Sequence, residues 1–415
     1  MTAAVRAIGP RMTRARSGAV LLGPALVAAA AYVDPGNVAT NTAAGASYGY
    51  LLVWVVVVAN LMAGLVQYLA AKLGLVTGMS LPEALRVHLP GGVRIAYWVQ
   101  AELVTMATDL AEVLGGAIAL HLLFDLPLIW GGVITAAVSV VILTVRDGGQ
   151  RRFERVVAAM LAVVAIGFVA GLFVSPPDPA ATFGGLVPGF GDAGGVLIAA
   201  GMLGATVMPH AIYVHSALAR DRHGRPAPGP ERARLLAVTK ADVTVALLIA
   251  GAVNLGLLLL GAAALPADLR TASLEGVHTA LGQNLGAGIA LLFAVALLSS
   301  GLASTAVGCY SGSVVMAGLL KIRVPLLARR VVTAIPALIV LSAGADPTWA
   351  LILSQVVLSF GIPFALIPLV VLTSRRSVMG DGVNGRFTVA VAGLVVAAIV
   401  ALNLALIWLT VTGQG

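Results

Sequence analysis

The sequence predicts an all-α polytopic membrane protein of eleven transmembrane helices, ten of them arranged as two inverted five-helix groups. Three observations lead there. Of 415 residues, 60% are hydrophobic and only 10% charged, with a mean hydropathy of +1.02; a soluble domain carries about 25% charged residues. Apolar stretches near 20 residues, the length that crosses a roughly 30 Å hydrocarbon core, recur along the whole chain. The first and sixth of these stretches are interrupted alike, "AAAYVDPGNVATN" at 29–41 and "GATVMPHAIYVHS" at 204–216, each by a residue-proline step at membrane depth.

In chain order, a short basic arm over 1–17, without the features of a cleavable signal, leads into span 1 near 18–46. Spans 2 to 5 are expected near 50–76, 95–122, 127–145 and 153–174. Spans 6 to 10 are expected near 190–219, 241–264, 285–319, 328–344 and 347–372, with span 11 near 387–412. Span 8 is long enough to extend beyond the bilayer or to bend. The organisation that follows is the arm (1–17), a first five-helix repeat (18–174), a second, inverted repeat (175–372), and a loop with span 11 (373–415).

Charge placement tests the count. With the N-terminus cytoplasmic, 24 of the 25 Lys and Arg residues fall on inward segments and adjoining helix ends, and Arg270 alone falls outward. That is the positive-inside pattern. The net charge of +8 therefore reports topology and calls for no nucleic-acid partner. The C-terminus is expected to be extracytoplasmic. The lack of a targeting extension and of long glycosylated loops points to a bacterial inner (plasma) membrane. The one cysteine, Cys309, excludes an intramolecular disulfide framework and a multi-cysteine metal site.

The breaks carry the chemistry. Asp34 and Met208 each precede a proline and are pushed away from α-helical dihedrals. Pro35 and Pro209 each lack a backbone donor and clash with the preceding turn, and Gly36 weakens span 1 further. Carbonyls around Ala31 and Ala205 are expected to lose their intrahelical partners. Such groups are not tolerated against lipid but are tolerated lining a cavity or holding an ion. Because each group has an odd number of spans, the second starts on the opposite side of the membrane. That pattern places a substrate site between two discontinuous helices. Two structural proline kinks are the simpler alternative. Asp34 weighs against it, because a carboxylate at membrane depth costs about 3 kcal/mol or more unless paired or hydrated.

Asp34 offers a hard anionic oxygen, Asn37 an amide oxygen, the freed carbonyls neutral oxygens, and Met208 a soft thioether. Oxygens alone would suit Mg2+ or Ca2+; a thioether favours softer transition metals. Manganese and ferrous ions are compatible with this mixture, and cadmium is expected to bind. His210 and His215, five residues apart, lie about 140° apart on a helix, so one ion could not easily take both. His210, beside the break, is expected in a hydrated pathway with a proton role; His215 is open between a proton-path or gating residue and a structural one. In span 3, "QAELVTMATDLAEVLGG", Glu102, Asp109 and Glu112 fall within an arc of about 80°, with Thr105 nearby. Three acids on one face of a span call for a hydrated interior or buried cations. Arg329 and Arg330 are the candidate partners; anchoring at the cytosolic surface is their other reading.

These residues resemble the Nramp family of proton-coupled divalent-metal transporters. "DPGN" at 34–37 and "MPHAIYVHS" at 208–216 carry the likeness; "TDLAEVLG" at 108–115, "ARR" at 328–330 and "SQVVLSFGIPF" at 354–364 add to it. The resemblance implies a LeuT-like fold, two inverted five-helix repeats plus an eleventh helix. It carries metal coordination to Asp34, Asn37 and Met208, with the carbonyls of Ala31 and Ala205, and adds Gln355 as a ligand in some conformations. It places His210, Glu102, Asp109, Glu112, Arg329 and Arg330 on the proton side. One departure is Ala211, where many relatives have asparagine. Relatives that carry Mg2+ or aluminium differ at the position of Met208.

The expected activity is import of Mn2+, with Fe2+ and Cd2+, by proton co-transport and alternating access. Spans 1, 2, 6 and 7 would rock against spans 3, 4, 8 and 9, and the "GPAL" entry of span 1 at 23–26 marks the inward gate. No covalent chemistry and no resident cofactor are expected: Mn2+ or Fe2+ is substrate and H+ the coupling ion. The partners are these ions and the bilayer, without an obligate protein partner. A divalent-cation channel with Asp34 as selectivity acid is the alternative, which would conduct without saturation at low substrate concentration and need no stoichiometric proton movement; so is a sodium-coupled amino-acid transporter of the same fold, which leaves Met208 without a task.

Overall fold

The computed structural model describes residues 23–147, 150–265, 273–322 and 324–413. The arm expected over 1–17, the start of span 1 and Arg270 lie outside the described residues. Among those described there is no strand, and a helix or helix pair stands at each of the eleven expected places. Span 1 comprises Pro24–Ala31 and Pro35–Tyr48; span 6 comprises Ala193–Thr206 and Pro209–His223. Spans 2 to 5 are Val53–Thr77, Gly91–Phe124, Leu128–Asp147 and Gln150–Val174. Spans 7 to 11 are Pro230–Ala264, Ala287–Leu320, Leu326–Ser342, Pro347–Ser374 and Arg386–Val411.

Among the described residues, eight of these are long and apolar enough to cross a membrane by length and composition alone. The other three fall short for local reasons. Span 1 is broken, span 4 is apolar over Leu128–Ile142, and span 9 has 17 residues, among them two arginines. Span 8 keeps one course: a helix of 34 residues, about 51 Å long, ending on Lys321 in the left-handed region (φ 60°).

Two boundaries differ from expectation for identifiable reasons. Span 7 starts at Pro230, well before 241. "PERARLLAVTK" is too polar for an apolar window, yet it opens with proline in the first turn and continues in good helix formers. Connecting helices, including Leu81–His88 and Leu274–Leu285, were not anticipated. The first had a readable signal: Ser80 and Glu83 form a capping box, in which the Ser80 N–H donates to Glu83 Oε2 at 2.7 Å.

Packing follows from apolar faces with small residues, which let helix backbones approach closely. Span 8 lies along spans 3 and 5, span 7 along the second half of span 1 and along span 2, and the first half of span 6 along span 10. Span 6 is central, with 83% of its apolar window buried, against 28% for the peripheral span 11. The two broken helices thus sit inside a jacket of continuous ones.

Candidate functional site

The first half of span 1 ends at Ala31, and Asp34 is extended (φ −77°, ψ 169°). Met208 is likewise extended (φ −64°, ψ 124°). Pro35 and Pro209 lie in the first turn of the helices that follow, where a missing N–H goes unused. The prolines therefore start helices in addition to ending them. Asp34 caps its helix: Oδ1 accepts from the Asn37 backbone N–H at 2.7 Å and from Asn37 Nδ2 at 2.9 Å. Gly36 is helical, and its role differs from the weakening expected of it. A Cβ there would collide with the side chain of Gln355, so the glycine lets span 10 reach the break.

The freed backbone is held by polar groups on other spans. Asn254 of span 7 donates to the Tyr32 carbonyl at 2.8 Å, and Ser300 of span 8 donates to the Val33 carbonyl. Asn41 donates to Asn254 Oδ1 at 3.2 Å. The Ala205 carbonyl, expected free, accepts from Asn37 Nδ2 at 2.9 Å and so ties the two breaks together. Sequence reasoning passed over Asn254 and Ser300; the signal was an isolated amide and hydroxyl in otherwise apolar runs.

What is left unpaired is informative. Asp34 Oδ2, Asn37 Oδ1 and Gln355 Oε1 are buried without a hydrogen-bond partner, and all three residues are fully buried, as is Met208. Each such oxygen costs about 1–3 kcal/mol, and buried polar groups are nearly always satisfied. Three unpaired oxygens where spans 1, 6 and 10 meet, with a thioether three residues beyond Ala205, are donors that a cation could use. Among the described residues no group of three His, Cys, Asp or Glu side chains could hold a metal. Any ion here must therefore use amide, carbonyl and thioether donors beside one carboxylate.

The histidines diverge as their spacing requires. His210 Nδ1 lies 3.2 Å from Thr108 Oγ1, whose own proton is directed to the Val104 carbonyl at 3.1 Å. That network assigns Nδ1 as donor and leaves Nε2 a buried, unpartnered acceptor. His215 Nδ1 instead meets Gln67 Oε1 at 2.7 Å, and Gln67 donates to the Tyr32 hydroxyl. His215 is thus tied to span 2 and, through Gln67, to Tyr32 at the end of the first half of span 1.

Span 3 bears its acids on one face, and both arginines are paired. Glu102 meets Arg329 at 2.7 Å and Asp109 meets Arg330 at 3.2 Å. The Asp109 contact is a close charge pair without directional hydrogen bonding. Glu112 is fully buried and has no hydrogen-bond partner. Gly312 makes room for this row, since a Cβ there would overlap the Arg329 guanidinium. Thr105 turns away and donates to the Ala101 carbonyl of its own helix. Through Thr108 the row reaches His210 and the span 6 break.

At the basic end of the bundle, Asp242 of span 7 accepts from the Gly23 N–H at 3.3 Å and the Ala25 N–H at 3.1 Å. It thereby caps the first half of span 1 in trans. Glu154 of span 5 pairs with Arg222 beside it, and Tyr310 donates to Asp221 at 3.0 Å. The "GPAL" entry is thus tied to span 7 through Asp242; sequence reasoning had singled out none of these groups.

The Nramp family model, natural resistance-associated macrophage protein-like, matches residues 25–409. The chain is 59% identical over 394 residues to a Mycobacterium tuberculosis protein named divalent metal cation transporter MntH, covering 95% of this chain and 92% of that one. It is 46% identical over 389 residues to the Bacillus subtilis protein of the same name, covering 93% and 91%. The crystal structure of the Eremococcus coleocola manganese transporter bound to an aromatic bis-isothiourea compound matches with TM-score 0.82 and 32% identity, over 92% of this chain and 85% of that one. MhsT in complex with L-phenylalanine matches with TM-score 0.60 and 12% identity, over 94% and 99%, a likeness of fold alone.

Proposed function

The chain belongs to the Nramp family and has the LeuT-like fold of two inverted repeats and an eleventh helix, and from that premise we propose that it imports Mn2+, and with it Fe2+ and Cd2+, in symport with protons by alternating access. The observation that carries this reading is the cluster of unpaired buried oxygens on Asp34, Asn37 and Gln355 beside Met208. Hydrogen bonds from Asn37 Nδ2 to Asp34 and Ala205 fix its amide so that Oδ1 faces away from them, toward the ion. Asp34, Asn37, Met208 and Gln355 supply side-chain ligands. The Ala31 and Ala205 carbonyls add neutral oxygens, Ala205 through the lone pair that Asn37 does not use. The thioether favours transition metals over Mg2+ and Ca2+.

Proton movement runs from Asp34 past His210 Nε2 and into the span 3 row of Asp109 and Glu112, ending at Glu102, with Arg329 and Arg330 as fixed counter-charges. Residues 18–174 and 175–372 act as the two repeats. The basic end faces the cytoplasm, so the N-terminus is cytoplasmic and the C-terminus extracytoplasmic in a cell inner membrane. Release of the Asp242 cap frees the first half of span 1 to open the inward path.

The test is uptake into proteoliposomes of Mn2+, Cd2+, Mg2+ and Ca2+ with internal pH recorded, for wild type and Met208→Ala. Saturable Mn2+ and Cd2+ uptake with internal acidification is expected, and the variant should lose discrimination against Ca2+ or Mg2+. Equal Mg2+ transport by wild type would sink the role given to Met208, and metal flux without proton movement under any gradient would sink the coupling.

A further inference from the structure

A second feature lies on the outer face of the bundle, where spans 2 and 7 run antiparallel and leave a cavity of about 310 Å3 that Thr388 of span 11 also lines. Its walls change character along the membrane normal. Leu61 and Leu65 of span 2 and Leu247 and Leu248 of span 7 line the mid-membrane part; Tyr68, Thr244, Lys240 and Thr388 line the end toward the basic side. On span 7, 240, 244 and 247/248 follow one helical stripe, and 61, 64/65 and 68 do the same on span 2.

The stretch from Val243 to Ala264 has 22 residues, about 33 Å of helix, which matches the hydrocarbon thickness. Lys240 therefore stands at the level of the phospholipid phosphates. Leu61 and Leu248, 69% and 63% exposed, face lipid. Lys240 is exposed and makes no ion pair among the described residues. By contrast, Lys72, one turn beyond Tyr68, is engaged with Asn384 at 2.8 Å. Arg232, two turns below Lys240, and the exposed Arg386 add positive charge on the same side; Arg232 lies 3.7 Å from Asp381 and next to Glu231, and Asp242, two residues from Lys240, is engaged with the Gly23 and Ala25 N–H groups.

We propose that this groove is a binding site for one anionic phospholipid, with its phosphate on Lys240 and Thr388 and an acyl chain laid along the four leucines. Basic pockets between helices at the inner leaflet attract anionic headgroups, and a free small anion would leave the apolar part of the cavity unfilled. The site is independent of the proposed metal site. It touches span 7, which packs on the second half of span 1, and span 2, which packs on both halves of span 6, so its occupant borders neighbours of both breaks.

Native mass spectrometry of the full chain, released from nanodiscs holding equal amounts of phosphatidylglycerol and phosphatidylcholine of the same acyl length, tests this. Wild type should retain phosphatidylglycerol preferentially. Lys240→Gln should lower that preference about fivefold, the worth of one basic residue near an anionic surface, and Lys240→Arg should keep it. A Cβ at Gly64 meets only Leu247 Cδ1, at 3.7 Å, and Gly64 lines the cavity, so Gly64→Leu should reduce retention of both lipids by occupying the acyl channel. Equal retention of the two lipids by wild type, or a preference untouched by Lys240→Gln, overturns the headgroup assignment. Displacement of the lipid by inorganic phosphate, with Gly64→Leu behaving as wild type, overturns the lipid in favour of a small-anion site.

Discussion

Asp34 divides its work between two oxygens, one capping a helix through Asn37 and one left bare. Asp34→Asn keeps an acceptor for the cap but removes the only anionic donor of the proposed ligand set. Calorimetric titration with Mn2+ should show affinity falling by more than the 10–100-fold typical of outer-shell changes, in a protein that still folds. Arg330 is fully buried between acids. Arg330→Met should destabilise by about 3–5 kcal/mol, because it strands Asp109 beside Glu112, and adding Asp109→Asn should recover part of that loss; thermal unfolding in detergent reads both. These residues were visible in the sequence because a charge or a residue-proline step at membrane depth breaks the expected pattern. Asn254 and Ser300 were not. Each finds its carbonyl more than 200 positions away, and that pairing exists only once spans 7 and 8 have packed against span 1. Gln355 entered through family resemblance alone, and the need for Gly36 becomes visible only when span 10 lies across it.

At the scale of elements, the first half of span 1 is eight residues long, too short to be a stable helix by itself. Its burial and the Asp242 cap hold it. Asp242→Ala should shift the equilibrium toward an open basic end by up to about tenfold, the range of a helix cap. Faster maleimide labelling of a cysteine placed at Val27, with Cys309 replaced by alanine, would register that shift. The connecting helix Leu81–His88, outside the spans, carries its own pH dependence. Burial pushes the Glu83 carboxyl up, but the Ser80 N–H and the Arg220 guanidinium outweigh it and hold the group below its ordinary value. Its contribution is therefore present above the usual glutamate pKa and is lost as pH falls through the lowered one. Glu83→Gln should remove that acid-side loss of thermal stability, a change of about 1 kcal/mol or less for a partly exposed pair. Apolar runs gave the order and number of the spans. Their ends were less legible, because a helix such as span 7 continues into polar sequence for as long as its backbone bonds and first-turn proline support it.

Across the whole molecule, the proposed sidedness rests on the alternation of basic segments, which follows from membrane insertion and needs no knowledge of packing. The site's handling of charge has a consequence at the same scale. On the proposed reading, Asp34 is the only carboxylate among the ligands, so the site carries +1 when a divalent ion is bound, −1 when empty and ionised, and zero when empty and protonated. An inside-negative voltage does work of about 2.3 kcal/mol per charge per 100 mV. It would draw the loaded site inward and push the ionised empty site back out, driving both half-cycles. If Asp34 returns with its proton, the empty step moves no net charge at the site. Transient currents from metal-free transporter after a voltage jump should therefore vanish at pH values where Asp34 stays protonated and appear as it ionises. An electrode would then report the protonation state of a single side chain.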